Sequence, residues 1–233
     1  MQRSLADSSH DGLMPLSPTV AMIPDTPDSR LLAELSSYSD DLSEASDAIE
    51  QALDAGHESP LWQPLTSYAV VAYMRAFAHS NVRSGLLAHV PVPDDLVQTH
   101  DMIRGYRNTT IAHSQSELSM SLPLATLTPE GTVRQVLPIT IRHNLPRTTA
   151  RRIADAVDRM SALVTELIHP LAERLTAEYR HTSPATIAGW PVPALDHERA
   201  DRFTAHSRSR RRPRFVAFWD IDAEPVDDGG HAV

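Results

Sequence analysis

From Arg30 onward, Leu31, Leu35, Tyr38, Leu42, Ala45, Ile49 and Leu53 recur at intervals of three and four residues, the spacing that lines one stripe of an α-helix. Between them, Glu34, Asp40, Asp41, Glu44, Asp47 and Glu50 form an acidic side, which reads as solvent-facing surface with no site. Gly56 and Pro60 mark a stop and a new start. The following Leu61–His79 is apolar around most of its circumference, as the most buried helix of a bundle would be. Arg75 interrupts that apolar run. A buried guanidinium needs a partner or a route to water, so Arg75 is either half of a structural ion pair or a residue lining a site. After Pro91-Val-Pro93, Asp94 or Asp95 can cap a third helix carrying Leu96, Val97, Ile103 and Tyr106. The β-branched run Thr109-Thr110-Ile111 lowers helix propensity and predicts fraying or an end near Ala112. Residues 119–127 and 132–142 alternate apolar and polar about Thr128-Pro-Glu-Gly131, which predicts a β-hairpin. Pro146 then opens a fourth and longest helix through Ile153, Val157, Met160, Val164, Leu167, Leu171 and Leu175, with a kink expected at Pro170. The predicted fold is mainly α: a bundle of about four long helices with a small β-hairpin insertion.

The ends lack this patterning. Residues 1–29 carry Pro15, Pro18, Pro24 and Pro27 among Ser, Asp and Thr, too little apolar surface to offset chain ordering, and are expected to be a disordered tail. Residues 30–181 form the expected domain. Residues 182–233 are expected to be a mostly irregular tail, first Arg-rich and then acidic, whose one compact apolar piece is Phe215–Trp219. Composition narrows the chemistry. Without cysteine, disulfides, thiol nucleophiles and Cys-ligated zinc are excluded. A net charge of −9 argues against coating nucleic acid by bulk electrostatics, although a local basic patch is compatible with it. All basic side chains are Arg, which reads as the codon bias of a GC-rich, bacterial genome. No segment resembles a signal peptide or a membrane span, so the expected location is the cytoplasm.

The twelve histidines show no tight metal-ligand spacing, and there is neither a Gly-rich phosphate loop nor a Gly-x-Ser-x-Gly elbow. The sequence therefore predicts no metal and no cofactor. Arg followed by His after four to six residues occurs at Arg3, Arg83, Arg107, Arg174 and Arg199. Only Arg107–His113 follows a strongly predicted core helix and has an amide residue, Asn108, directly behind the Arg. Its surroundings, Arg107-Asn108-Thr-Thr-Ile-Ala-His113-Ser114, resemble the motif of the HEPN superfamily, small helical domains of toxin–antitoxin, abortive-infection and other RNA-targeting systems. The likeness extends over the helical layout of residues 30–180, and over about eight residues in the motif itself. Thr109 stands where that motif commonly has Lys.

The resemblance implies metal-independent RNA cleavage, in which a ribose 2′-hydroxyl attacks the adjacent phosphate and leaves a cyclic phosphate end. The residue types suit it. A His near neutrality can exchange protons at the attacking or leaving oxygen. An Arg supplies a charged fork where transition-state charge grows, and Asn108 can orient either. Along an ideal α-helix, however, Arg107 and His113 stand about 9 Å and about 240° apart, so they would not share a face. The helix must distort or end, or a second protomer must help. The resemblance implies the last, a homodimer joining two motifs at a cleft. Candidate RNA-binding residues beyond the motif are Arg75, His100 and Arg104, together with Arg208, Arg210, Arg211, Arg212 and Arg214 of the tail. His100, Arg104 and Arg107 fall on one helix face by spacing. The competing reading is a noncatalytic helical interaction or regulatory module, with Arg107 and His113 merely complementing a helix C-terminus. An antitoxin or regulatory protein is the further expected partner.

Overall fold

The computed structural model describes residues 20–112, 118–193, 195–203 and 215–219. They belong to two compact units, one spanning Thr26–Arg180 and one formed by the flanking segments. In the larger unit, helix α1 (Pro27–Ala55) opens with a reciprocal cap. The Thr26 hydroxyl accepts from the Ser29 amide at 3.1 Å while the Ser29 hydroxyl accepts from the Thr26 amide at 2.8 Å, so two otherwise orphaned donors are satisfied. Pro27 at the first helical position adds a preset φ. The start of α1 thus takes in residues 27–29, which composition had assigned to the tail. At its end Gly56 adopts φ +84°, a conformation that disfavours any residue with a Cβ.

Helix α2 (Trp62–Phe77) buries Trp62, Thr66, Ala69, Val70, Ala72, Tyr73 and Ala76, and α4 (Arg147–Tyr179) buries Ala150, Ile153, Ala156, Val157, Met160, Val164, Leu171 and Leu175. α1 packs against both. Alanine recurs on all three buried faces, so the helix backbones can approach closely, and the volume is filled by Leu, Ile and three large aromatics. Each aromatic has a polar end that fixes a distant segment. The Trp62 indole donates to the Leu145 carbonyl at 2.9 Å, holding the entry to α4 against α2. Tyr38 donates to the Ser84 carbonyl at 2.6 Å. The Tyr73 hydroxyl meets His100 Nδ1 at 3.2 Å, joining α2 to α3 (Val97–Tyr106).

Strands β1 (Ser119–Leu127) and β2 (Val133–Arg142) form an antiparallel hairpin inserted between α3 and α4. Gly131, at φ +82°, closes its turn, and the register shifts at Thr126/Leu127. The fold is thus mainly helical with a small antiparallel hairpin. The helices differ from four long ones, because α1 and α4 have 29 and 33 residues whereas α2 and α3 have 16 and 10.

In the smaller unit, α5 (Pro184–Ile187) is a single turn capped by Ser183, and the Met22 amide donates to the Pro191 carbonyl at 2.7 Å. Strands β3 (Leu195–Arg199) and β4 (Phe215–Trp219) pair in parallel, and the Phe203 and Phe218 rings meet edge-on at 5.3 Å. The C-terminal segment, expected to be mostly irregular, therefore contains a strand pair. Its apolar piece is one of the two strands. The expected N-terminal tail lies, for residues 1–19, outside the described residues. No helix among the described residues is long and apolar enough to cross a membrane.

Candidate functional site

The α-helical hydrogen bonding of α3 stops at Tyr106, and Arg107–Ile111 continues as one π-helical turn. Its defining bond runs from the Ala112 amide to the Arg107 carbonyl at 3.0 Å, one residue longer than the α-helical interval. The local cause is the run Thr109-Thr110-Ile111, whose branched side chains crowd a tight turn. Thr109 also bonds back to the Gly105 carbonyl at 2.9 Å, a contact that bends helices. The widened turn changes the angular phase of Ala112 relative to α3. His113 lies outside the described residues.

Arg107, Asn108 and Thr109 are exposed on this turn. The Arg107 guanidinium donates to Asn108 Oδ1 at 3.1 Å, so the amide holds the cation without neutralising it. No carboxylate pairs with Arg107 among the described residues. Thr110 Oγ1 is enclosed there and has no hydrogen-bond partner among the described residues.

The other sequence candidates separate by environment. Arg75 Nε lies 2.9 Å from Asp41 Oδ1 and its terminal nitrogen pairs with Glu44. Burial opposes the Arg75 charge, but Glu44 and Asp41 outweigh it and raise the pKa. Of the two readings of Arg75, the geometry is that of the ion pair. Arg104 pairs with Asp101 at 2.7 Å. His100 is buried, 5% exposed, with its ring edge-on to Phe77 at 4.5 Å. Burial, followed by the charge of Arg104, lowers its pKa. Although the spacing puts His100, Arg104 and Arg107 on one face, only the two arginines reach solvent. His100 faces the core because α3 packs that side on α2. The tail cluster Arg208, Arg210, Arg211, Arg212 and Arg214 falls outside the described residues.

Sequence reasoning missed a second polar cluster. Arg83, only a rival member of the Arg-to-His spacing, pairs with Asp41 and Ser37, donates to the Arg75 carbonyl at 3.0 Å and stacks over the Tyr38 ring at 4.9 Å. Glu34 accepts from Ser84 N at 2.6 Å, Ser84 Oγ at 2.7 Å and Tyr38 at 2.9 Å. Burial raises its pKa, yet these bonds win and hold the carboxyl below its ordinary value. His89 Nε2 lies 3.2 Å from Ser84 Oγ and 3.7 Å from Glu34. Three residues of the supposed solvent face of α1, Glu34, Asp41 and Glu44, thus anchor cations or a loop. The signal was present in Arg75, a cation set inside an apolar run that calls for an acid, but the acids stand 31 and 34 residues away in sequence.

Also missed were Arg142, Arg147 and Arg151, exposed arginines without a carboxylate partner among the described residues. Arg142 stands opposite Ser119 at the hairpin base, and Arg147 and Arg151 share a face of the first turns of α4. No group of three His, Asp or Glu residues able to hold a metal occurs among the described residues. The chain matches no family model, no curated protein and no solved structure.

Proposed function

We propose that this protein is a HEPN-like, metal-independent endoribonuclease of the toxin–antitoxin or phage-defence type, acting in the cytoplasm as a homodimer. In this reading α1 to α4 are the helical bundle of that superfamily. His113 removes the proton from the attacking 2′-hydroxyl or supplies one to the leaving 5′-oxygen. Arg107 stabilises the charge that accumulates on the phosphorane oxygens, and Asn108 orients it. The observation that carries the reading is the exposed Arg107 guanidinium, bonded to Asn108 Oδ1 at 3.1 Å on a π-helical turn. It is a positioned cation that no carboxylate neutralises among the described residues. Arg142, Arg147 and Arg151, exposed and without a carboxylate partner among the described residues, are further positive charge of the kind a phosphate backbone requires, despite the net charge of −9.

A second reading, a noncatalytic interaction module with an antitoxin or regulatory partner, is favoured by the uncovered apolar residues of the β-hairpin. The two are separated by cleavage of a labelled single-stranded RNA pool in the presence of EDTA. The enzyme reading expects products ending in cyclic phosphate from wild type and their loss in His113→Ala and Arg107→Ala, with circular dichroism unchanged. Equal cleavage by all three proteins, or none by any, overturns it.

A further inference from the structure

The turn that carries Arg107 is tied to the start of α4 by two routes. Tyr106 and Ser67 are hydrogen-bonded through their side chains, and five residues earlier on α2 the Trp62 indole holds the Leu145 carbonyl at 2.9 Å. Independently, Arg152 donates to Thr99 Oγ1 at 3.1 Å and Arg159 pairs with Asp95 at 3.4 Å. As α4 advances, its partners on α3 retreat, so the two helices run antiparallel. Arg107 lies eight residues beyond Thr99 and Arg147 five residues before Arg152, about 12 Å and about 8 Å along their axes in the same direction. The hairpin base sits on this entry to α4. The His143 amide donates to the Leu118 carbonyl at 2.8 Å, and Arg142 stands opposite Ser119. Arg107, Arg142, Arg147 and Arg151 are thus brought to one end of the α3–α4 layer, all exposed and none paired with a carboxylate among the described residues.

The start of α4 is charged against the interest of its own helix. The first amides of a helix lack internal partners and its N-terminus is the positive end of the dipole, so acids are favourable there and cations are not. Helix α4 has no acid in its first turn, and no side chain caps it. It has Arg147 and Arg151 instead, like charges one turn apart, about 6 Å by helical rise. Each of these features costs the unliganded fold a little, and a bound anion reverses all of them. The uncapped amides and the dipole favour it, and arginine forks bond phosphate oxygens in pairs. Exposed Asn108 and Thr148 add neutral donors of the kind that position a phosphate backbone.

We propose that this end of the layer is a ridge that binds the sugar–phosphate backbone of single-stranded nucleic acid, RNA and DNA alike. Arginines on three elements are engaged together only by a ligand that bears several phosphates along its length. A duplex carries twice the charge of either strand per unit length, and on a chain of net charge −9 the surroundings of so narrow a patch repel it. One strand is what the ridge accommodates. Phosphate contacts carry no base information, and none of the four arginines requires a 2′-hydroxyl, so binding does not separate RNA from DNA. Discrimination is left to cleavage: a DNA strand seated here covers the Arg107 turn without offering the nucleophile, and acts as a competitor. The competition rests on the ribonuclease reading, whereas the binding does not.

The test is fluorescence anisotropy of the full chain with a labelled single-stranded RNA of about 20 nucleotides, the same sequence as DNA, and the RNA duplex, from about 50 to about 300 mM salt. With four phosphates neutralised, log K against log salt should have a slope of about −3 for both single strands, whose affinities should agree within about threefold. The triple variant Arg142→Gln/Arg147→Gln/Arg151→Gln should bind at least about tenfold more weakly at low salt, with a slope shallower by about 2, and each single variant should change the slope by about 0.7. A matched triple, Arg159→Gln/Arg174→Gln/Arg180→Gln, removes the same charge from elsewhere on α4 and should bind as wild type. Absence of saturable binding, equal weakening in the two triples, a preference of about tenfold or more for RNA over DNA, or tighter binding of the duplex overturns the proposal. So does capture by phosphatidylserine vesicles in preference to either strand. Binding is read without turnover, so a wild type that binds both strands and cleaves neither overturns the ribonuclease reading alone.

Discussion

Arg83–His89 and Arg107–His113 have the same spacing and opposite surroundings. At the first, the Arg is 12% exposed and tied to Asp41, Ser37 and a backbone carbonyl, while the His faces Ser84 and Glu34. At the second, the Arg is exposed and, among the described residues, its side chain meets only a neutral amide. A largely buried cation bonded to a carboxylate, a hydroxyl and a backbone carbonyl is committed to protein groups, and its value lies in joining α1 to the segment after α2. A solvated cation held by an amide adds little to stability. The two segments show that spacing specifies a reach between side chains, and that the positions of carboxylates decide what the reach is for.

That contrast can be broken most severely at Asp41, which pairs with both Arg75 and Arg83. Asp41→Ala leaves two cations short of a partner and is expected to cost about 3 kcal/mol, read as a lowered denaturant midpoint. Arg107→Ala is its mirror image. It should leave that midpoint within about 0.5 kcal/mol of wild type while lowering RNA cleavage about 10²- to 10³-fold, the loss expected for one transition-state donor. Tyr38→Phe removes the donor to the Ser84 carbonyl and to Glu34 and should cost about 1–2 kcal/mol by chemical denaturation, with cleavage unaffected.

A smaller effect concerns pH. His100 has its pKa lowered in the fold by burial, so the folded state binds its proton less readily than the unfolded chain. Its contribution to stability is full above the ordinary value of 6.5 and is lost as pH falls from there through the lower folded value. The thermal midpoint should decline over that interval, and His100→Gln should flatten the decline. An unchanged slope in the variant would exclude this role. Arg104→Ala, which removes an exposed pair with Asp101, should change stability by less than about 0.5 kcal/mol.

Much of the helical layout was legible because the information is local. The stripe through Leu35, Tyr38, Leu42, Ala45 and Ile49 is buried as its period requires, and so is the corresponding run of α4, apart from Leu167. That residue lies one turn before Pro170. Periodicity ran out where partners are distant: neither Asp41 with Arg83 nor Trp62 with the Leu145 carbonyl leaves a mark within one window of sequence. The parallel pairing of β3 with β4 escaped for the same reason, since its strands are separated by Ala200–Arg214. At the candidate site, the β-branched run announced a disturbed helix end, and the form it takes is a π-helical turn. The adjacency of Arg107 and Asn108 was visible in the sequence. That no acid among the described residues pairs with this cation was not, because it depends on which acids the fold brings near.

The bond from the His143 amide to the Leu118 carbonyl means that the two ends of the hairpin meet at nearly one point. Its length is therefore decoupled from the layer beneath. Residues 119–142 can be lengthened, shortened or exchanged for a brief linker without moving the start of α4, which Trp62 secures through Leu145. Selection can consequently retune what this element contacts while the start of α4 stays as it is, and an engineer can replace it as a cassette.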